Sequence, residues 1–117
     1  MIRLEEVPFE LDGKSYKLRC NMNVLADAQA AFGGDFSQAL NPEHSFRGLT
    51  VFLSAMLNDF AEDMGWEERF DPRSLGRKLY KYQVPEADIM ALVVASMTPP
   101  AAQVQGENGQ PTENSGN

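Results

Sequence analysis

One histidine, one cysteine and a run of carboxylates are the residues of this chain whose types could do chemistry. His44 stands beside Glu43 and two places after Pro42. A general base needs a positioned partner and a metal ligand needs companions, and no other His or Cys lies near it in sequence. It is expected in a surface or first-turn role. Cys20 ends an alternating run on the side that should face a core, with no adjacent His and no Gly-rich elbow, so it reads as a small buried hydrophobe. Asp59, Glu62, Asp63, Glu67, Glu68 and Asp71 are the densest acidic stretch, and the first three share a helix face. Oxygen cages for divalent ions need alternate loop ligands and a fixed glycine, an order that is absent here, so a solvated face is expected. The glycines of "DGK" and "FGGD" lack phosphate-loop spacing and read as turn and cap signals. No enzyme activity, cofactor or metal is expected from these residues.

Composition narrows the class. The 117 residues suit one core, and the net charge of −7 argues against a phosphate-binding surface. Nucleic acid is not an expected partner. Arg73, Arg77, Lys78 and Lys81 interrupt the acidic character of the second half. A single cysteine and the lack of a leading apolar run or membrane-length segment fit a soluble protein of a reducing compartment, with no membrane partner. The last 19 residues, from Pro99, hold no aromatic and one large aliphatic, Val104. They are expected to form a disordered tail, 99–117, after a single ordered domain, 1–98, with a flexible linker as the competing reading of the same composition.

The elements that would position these residues begin with two alternating runs, Val7, Phe9, Leu11 and Tyr16, Leu18, Cys20, joined by Asp12-Gly13. A two-residue type I′ turn pairs Leu11 with Lys14, Phe9 with Tyr16 and Val7 with Leu18, putting the apolar residues on one face and Glu6 opposite Arg19. One more loop residue would set Phe9 opposite Lys17 and mix the faces. Pro8 then sits where its missing N–H points away from the partner strand. A lone hairpin is marginal in water, so helices of this chain or of a neighbour must cover its apolar face.

Helices follow. Asn21 caps one carrying Met22, Leu25, Ala28 and Phe32, ended by Gly33-Gly34. "DFSQAL" is a short helical turn. Asn41-Pro42-Glu43 opens the longest helix, with the stripe Leu49, Phe52, Leu53, Met56, Leu57, Phe60 and Met64 before Gly65. Asp71-Pro72 starts a shorter helix through Leu75 and Leu79 toward Tyr82, and Pro85-Glu86 opens a last one through Ile89, Leu92, Val93 and Met97, stopped at Thr98-Pro99-Pro100. The fold class is α+β: an N-terminal β-hairpin followed by four or five helices, mainly helical. Of the aromatics Phe46, Phe52, Phe60, Trp66, Phe70, Tyr80 and Tyr82, most are expected in the core. Trp66 and Phe70, in the acidic connection, are the two that could anchor a protein partner.

Three segments carry a family resemblance: "FELDGKSYKLRCNMNVLADAQAAFGG", "SFRGLTVFLSAMLNDF" with its Arg47-Gly48-Leu49 entry, and "LGRKLYKYQVPEADIMALVVASM". Over residues 4–98 the chain resembles the tail assembly chaperones of long-tailed bacteriophages and related small tail proteins of gene-transfer agents. The resemblance implies a non-enzymatic protein of the host cytoplasm, absent from the mature virion. It implies binding to the tape-measure protein, recruitment of tail tube protein, self-association as a homo-oligomer, and a frameshifted longer form of the same product, for which the segment after Pro99 suits a short-form end. Partner contact through apolar side chains would fall to Val7, Phe9, Tyr16, Leu18, Trp66 and Phe70. Two other classes fit the composition: a structural tail protein, which would need more sheet than one hairpin, and an acidic nucleic-acid mimic that inhibits a host enzyme, which would need carboxylates dense on one face.

Overall fold

The computed structural model describes residues 5–97; the expected tail, 99–117, lies outside them. Strands β1 (Val7–Leu11) and β2 (Lys14–Leu18) form an antiparallel hairpin, followed by α1 (Met22–Ala31), α2 (Phe36–Ala39), α3 (Ser45–Met64), α4 (Pro72–Lys78) and α5 (Glu86–Met97). Among the described residues the fold is a two-stranded sheet with five α-helices, an α+β and mainly helical architecture.

The hairpin has the register that its alternation and turn demand: Leu11 faces Lys14, Phe9 faces Tyr16, Val7 faces Leu18, and Pro8 faces Lys17. Asp12 (φ 52°) and Gly13 (φ 82°) both occupy the left-handed region, as a type I′ turn requires. On the outer face Glu6 meets both Arg19 and Lys17 at 3.8 Å. Val7, Phe9, Leu11, Tyr16 and Leu18 are all buried. The chain therefore covers its own hairpin.

Helix starts follow side-chain capping. The Val24 N–H donates to Asn21 Oδ1 at 3.1 Å, and Asp71 Oδ1 accepts from the Arg73 and Ser74 N–H groups at 3.1 and 3.0 Å. Asn41 accepts from the Glu43 N–H at 2.9 Å, but the turn it opens, Pro42–His44, is a 3-10 turn that feeds into α3. A second 3-10 turn, Leu79–Lys81, continues α4 toward Tyr82. The expected helix through Leu79 thus tightens after Lys78.

α3 is the hub. It packs against β2 and against each of the other α-helices. Its apolar surface is wider than the expected stripe, because every residue from Val51 to Leu57 is buried, including Ser54, whose Oγ donates to the Val51 carbonyl. A helix enclosed on nearly all sides needs apolar residues nearly all round. Three methionines assigned to stripes lie outside: Met22, Met64 and Met97 are exposed at helix ends. In α1 the inward pair is Val24 and Ala28, with Leu25 and Phe32 partly buried, so the face is turned from the one drawn through Met22.

The basic-small-Leu entry to α3 has a steric reason. A Cβ on Gly48 would stand 2.6 Å from the carbonyl oxygen of Ala39, at the end of α2. Gly76 in α4 meets only the Thr50 methyl, at 3.8 Å. Gly48→Ala should lower stability by about 1–3 kcal/mol through this backbone clash, while Gly76→Ala should raise it by about 0.5–1 kcal/mol through helix propensity alone. Urea denaturation of the two variants measures both signs.

Candidate partner-binding site

Tyr16 organises the region where the hairpin meets the helices. Its ring takes edge contacts from Phe60, Trp66 and Phe70 at centroid distances of 6.0, 5.6 and 5.9 Å. Its hydroxyl donates to Glu68 at 2.9 Å, and Lys14 pairs with the same carboxylate at 3.1 Å while lying 4.6 Å over the Trp66 ring. Asn58 clasps the loop from α3, accepting from the Phe70 N–H at 2.6 Å and donating to the Phe70 carbonyl at 2.8 Å. Burial, reinforced by Glu68, pushes the Tyr16 hydroxyl well above its ordinary pKa and keeps it a donor.

These contacts show where the residues expected at a partner surface lie within the fold. Val7, Phe9, Tyr16 and Leu18 are core residues, and Trp66 and Phe70 are half-buried against Tyr16. The structure brings the six together as an internal seam between hairpin and helices. They are spent on holding the hairpin down. Cys20 and His44 also have structural settings: burial pushes the Cys20 thiol up, and exposed His44 leans on Phe32 with ring centroids 6.2 Å apart.

The acidic stretch is dispersed rather than gathered. Asp59 accepts from Asn21, Asp63 lies 3.8 Å from Arg19, Glu68 holds Lys14 and Tyr16, and Asp71 caps α4. Among the described residues no group of three or more His, Cys, Asp or Glu is placed to hold a metal ion. No helix among them is long and apolar enough to cross a membrane.

A different surface is left open. The first turns of α3, one face of α4 and the 3-10 turn after it line a groove of about 700 Å³, with Leu49, Leu79 and Val84 among its lining. Phe46 and Tyr80 stand at it with 86% and 81% of their surface exposed, the two most exposed large hydrophobic residues described. Arg47, Arg73 and Arg77 line it as well. None of the three closes a salt bridge among the described residues, whereas Lys14, Lys17, Arg19 and Lys78 all do. Arg69 donates to the carbonyls of Trp66 and Glu68, and Lys81 lies 6.0 Å from the Tyr80 ring. Three arginines that close no salt bridge among the described residues thus line one apolar opening of an acidic chain.

No protein-family model, curated protein or solved structure matches the chain. Sequence reading missed the groove because its two walls are separated along the chain and meet only when α4 folds back on α3. The signal within reach was the basic run Arg73, Arg77, Lys78, Lys81 in an otherwise acidic protein.

The hairpin turn is latched to the wall of this groove. Lys78 pairs with Asp12 at 2.7 Å, and the Tyr82 hydroxyl donates to Asp12 Oδ1 at 2.8 Å while accepting from the Asp12 N–H at 3.1 Å. Hydrogen bonds from Lys78 and then Tyr82 hold the Asp12 carboxyl below its ordinary value, and those from Lys14 and then Tyr16 do the same for Glu68. A carboxyl whose pKa is lowered by folding contributes stability above its unfolded pKa and loses it as pH falls through the folded one. Lys78, raised chiefly by Asp12, contributes fully below its unfolded pKa and loses its contribution as pH rises past the folded one. The thermal midpoint should accordingly hold level around neutrality and drop as pH falls below about 4. Asp12→Asn, which keeps a residue suited to the left-handed turn position, should make that drop shallower; thermal melts at pH 3–7 measure it.

Proposed function

We propose that this protein is a phage tail assembly chaperone that binds the tape-measure protein and helps recruit tail tube subunits during tail formation. The single observation that carries the reading is the open apolar groove with Phe46 and Tyr80 at its edge. A chaperone for a long helical client needs an exposed apolar surface on a protein whose own core is complete. The buried hairpin meets the second condition and the groove meets the first.

The sequence resemblance over residues 4–98 supports the same role. Its chief patterns have physical counterparts in this fold: the Asp-Gly hairpin, the Asn-capped helix that ends at glycine, and the glycine that lets α2 approach α3. Contact with a helix laid along the groove is a helix-in-groove mode, in which a few large apolar side chains dominate the energy. Each contact is weak alone. Copies spaced along one elongated client would gain by avidity, and the net charge of −7 would keep the coated client dispersed. In this account the protein acts in the host cytoplasm, associates with itself and with tail tube protein as it is displaced, and is absent from the finished virion.

Co-expression with the tape-measure protein of its own phage tests the role. The wild-type chain should keep the tape-measure protein soluble and co-purify with it. Phe46→Ser/Tyr80→Ser should weaken that association by about 2–4 kcal/mol, as loss of central interface anchors does, while moving the chain's own stability by only about 0.5 kcal/mol because both side chains are exposed. An undiminished complex in the double variant would place the contact elsewhere; no complex with wild type would remove the proposed role.

A further inference from the structure

The groove's charge identifies the kind of helix it takes. Arg73 and Arg77 are four residues apart on α4, so they share a face about one helical turn apart. Arg47 comes from the first turn of α3, and Lys81 stands beside Tyr80. Together they set positive charge on both walls of an apolar floor that includes Leu49. This is the reverse of the chain's overall balance, in which acids exceed bases by seven. The other described lysines and arginines are engaged within the fold, in ion pairs or, for Arg69, on backbone carbonyls.

We infer that the groove is a docking site for an acidic amphipathic helix, one whose apolar stripe is flanked by carboxylates three or four residues apart. The stripe covers Phe46, Leu49 and Tyr80, and the carboxylates pair with Arg73 and Arg77 on one side and Arg47 on the other. Arginine suits this role because its guanidinium grips a carboxylate through two parallel N–H bonds. The apolar floor selects against a nucleic acid, which would need a path of cations along a backbone and would meet a chain of strongly negative net charge. The inference deepens the chaperone reading by giving the chemistry of the client segment at the same groove.

Synthetic helical peptides test it without any phage protein, so its failure is separable from failure of the chaperone role. Three peptides share one leucine stripe and differ only in flanking residues, which are Glu, Gln or Lys. Fluorescence anisotropy with the full chain should show the Glu peptide binding about tenfold more tightly than the Lys peptide at low salt, the sum of a few exposed ion pairs. The preference should shrink in 0.5 M salt, as exposed pairs are screened. Arg73→Gln/Arg77→Gln should weaken it, leaving the share that Arg47 carries, and Arg47→Glu/Arg73→Glu/Arg77→Glu should reverse it; circular dichroism checks that these exposed-site variants stay folded. Equal binding of all three peptides, no binding of any, or a preference that survives charge reversal would overturn the inference. So would displacement of the Glu peptide by a single-stranded DNA oligonucleotide at equal charge. A second copy as the true occupant would appear as a dimer in sedimentation that charge reversal dissociates and the Glu peptide does not, and that result also overturns it.

Discussion

The cover of a two-stranded hairpin by a single long helix is the constraint on which the other contacts depend. Two strands with one apolar face have no independent stability in water. Here α3 supplies the cover from within the chain, and its residues from Val51 to Leu57 are buried because the hairpin lies to one side and the other helices surround the rest. Tyr16 concentrates the arrangement in one side chain. It closes an aromatic cluster with Phe60, Trp66 and Phe70 and ties its hydroxyl to Glu68, so the hairpin, α3 and the loop after α3 are fastened at one point. Edge-on aromatic pairs of this kind each add about 0.5–1.5 kcal/mol beyond the area they bury. The latch of Asp12 to Lys78 and Tyr82 repeats the fastening at the turn, this time to the wall formed by α4 and its following turn.

That economy decides where function can reside. A face consumed by the fold is closed to partners, and the hairpin face is so consumed. One surface left open among the described residues is the groove between the start of α3 and α4, which the same folding creates. Gly48 brings α2 close to one side of the first turns of α3 through the short approach to Ala39, and Phe46 and Leu49 line the groove. Apolar side chains left outward in a chain of 117 residues lower solubility unless they have work to do. They share the groove with three arginines that close no salt bridge among the described residues.

Much of this fold was legible in the sequence wherever the determinant is local. Asp12-Gly13 sets a register that alternation alone could not, Asn21 and Asp71 cap the helices that follow them, and Gly65 ends α3 in a left-handed residue. What the sequence leaves open lies where the determinant is distant along the chain. Whether Trp66 and Phe70 meet water depends on Tyr16, some fifty residues away. In α1 helical spacing permits two overlapping stripes, one of them through Met22, and only docking on α3 selects Val24 and Ala28. Phe46 fits the spacing of the α3 stripe yet lies beyond the reach of the hairpin cover, so periodicity places it inside and tertiary structure leaves it out.

The central claim is that the hairpin is sealed within the chain and that partners meet the α3 and α4 groove instead. Hydrogen–deuterium exchange of the protein alone and bound to a soluble tape-measure fragment tests it most directly. The account predicts new protection over residues 46–50 and 72–84, with strands 7–11 and 14–18 already slow to exchange and unchanged by binding. Protection that appears in the strands and in the loop 65–71 while the groove stays as it was would contradict it, because the hairpin would then be opening to receive the partner.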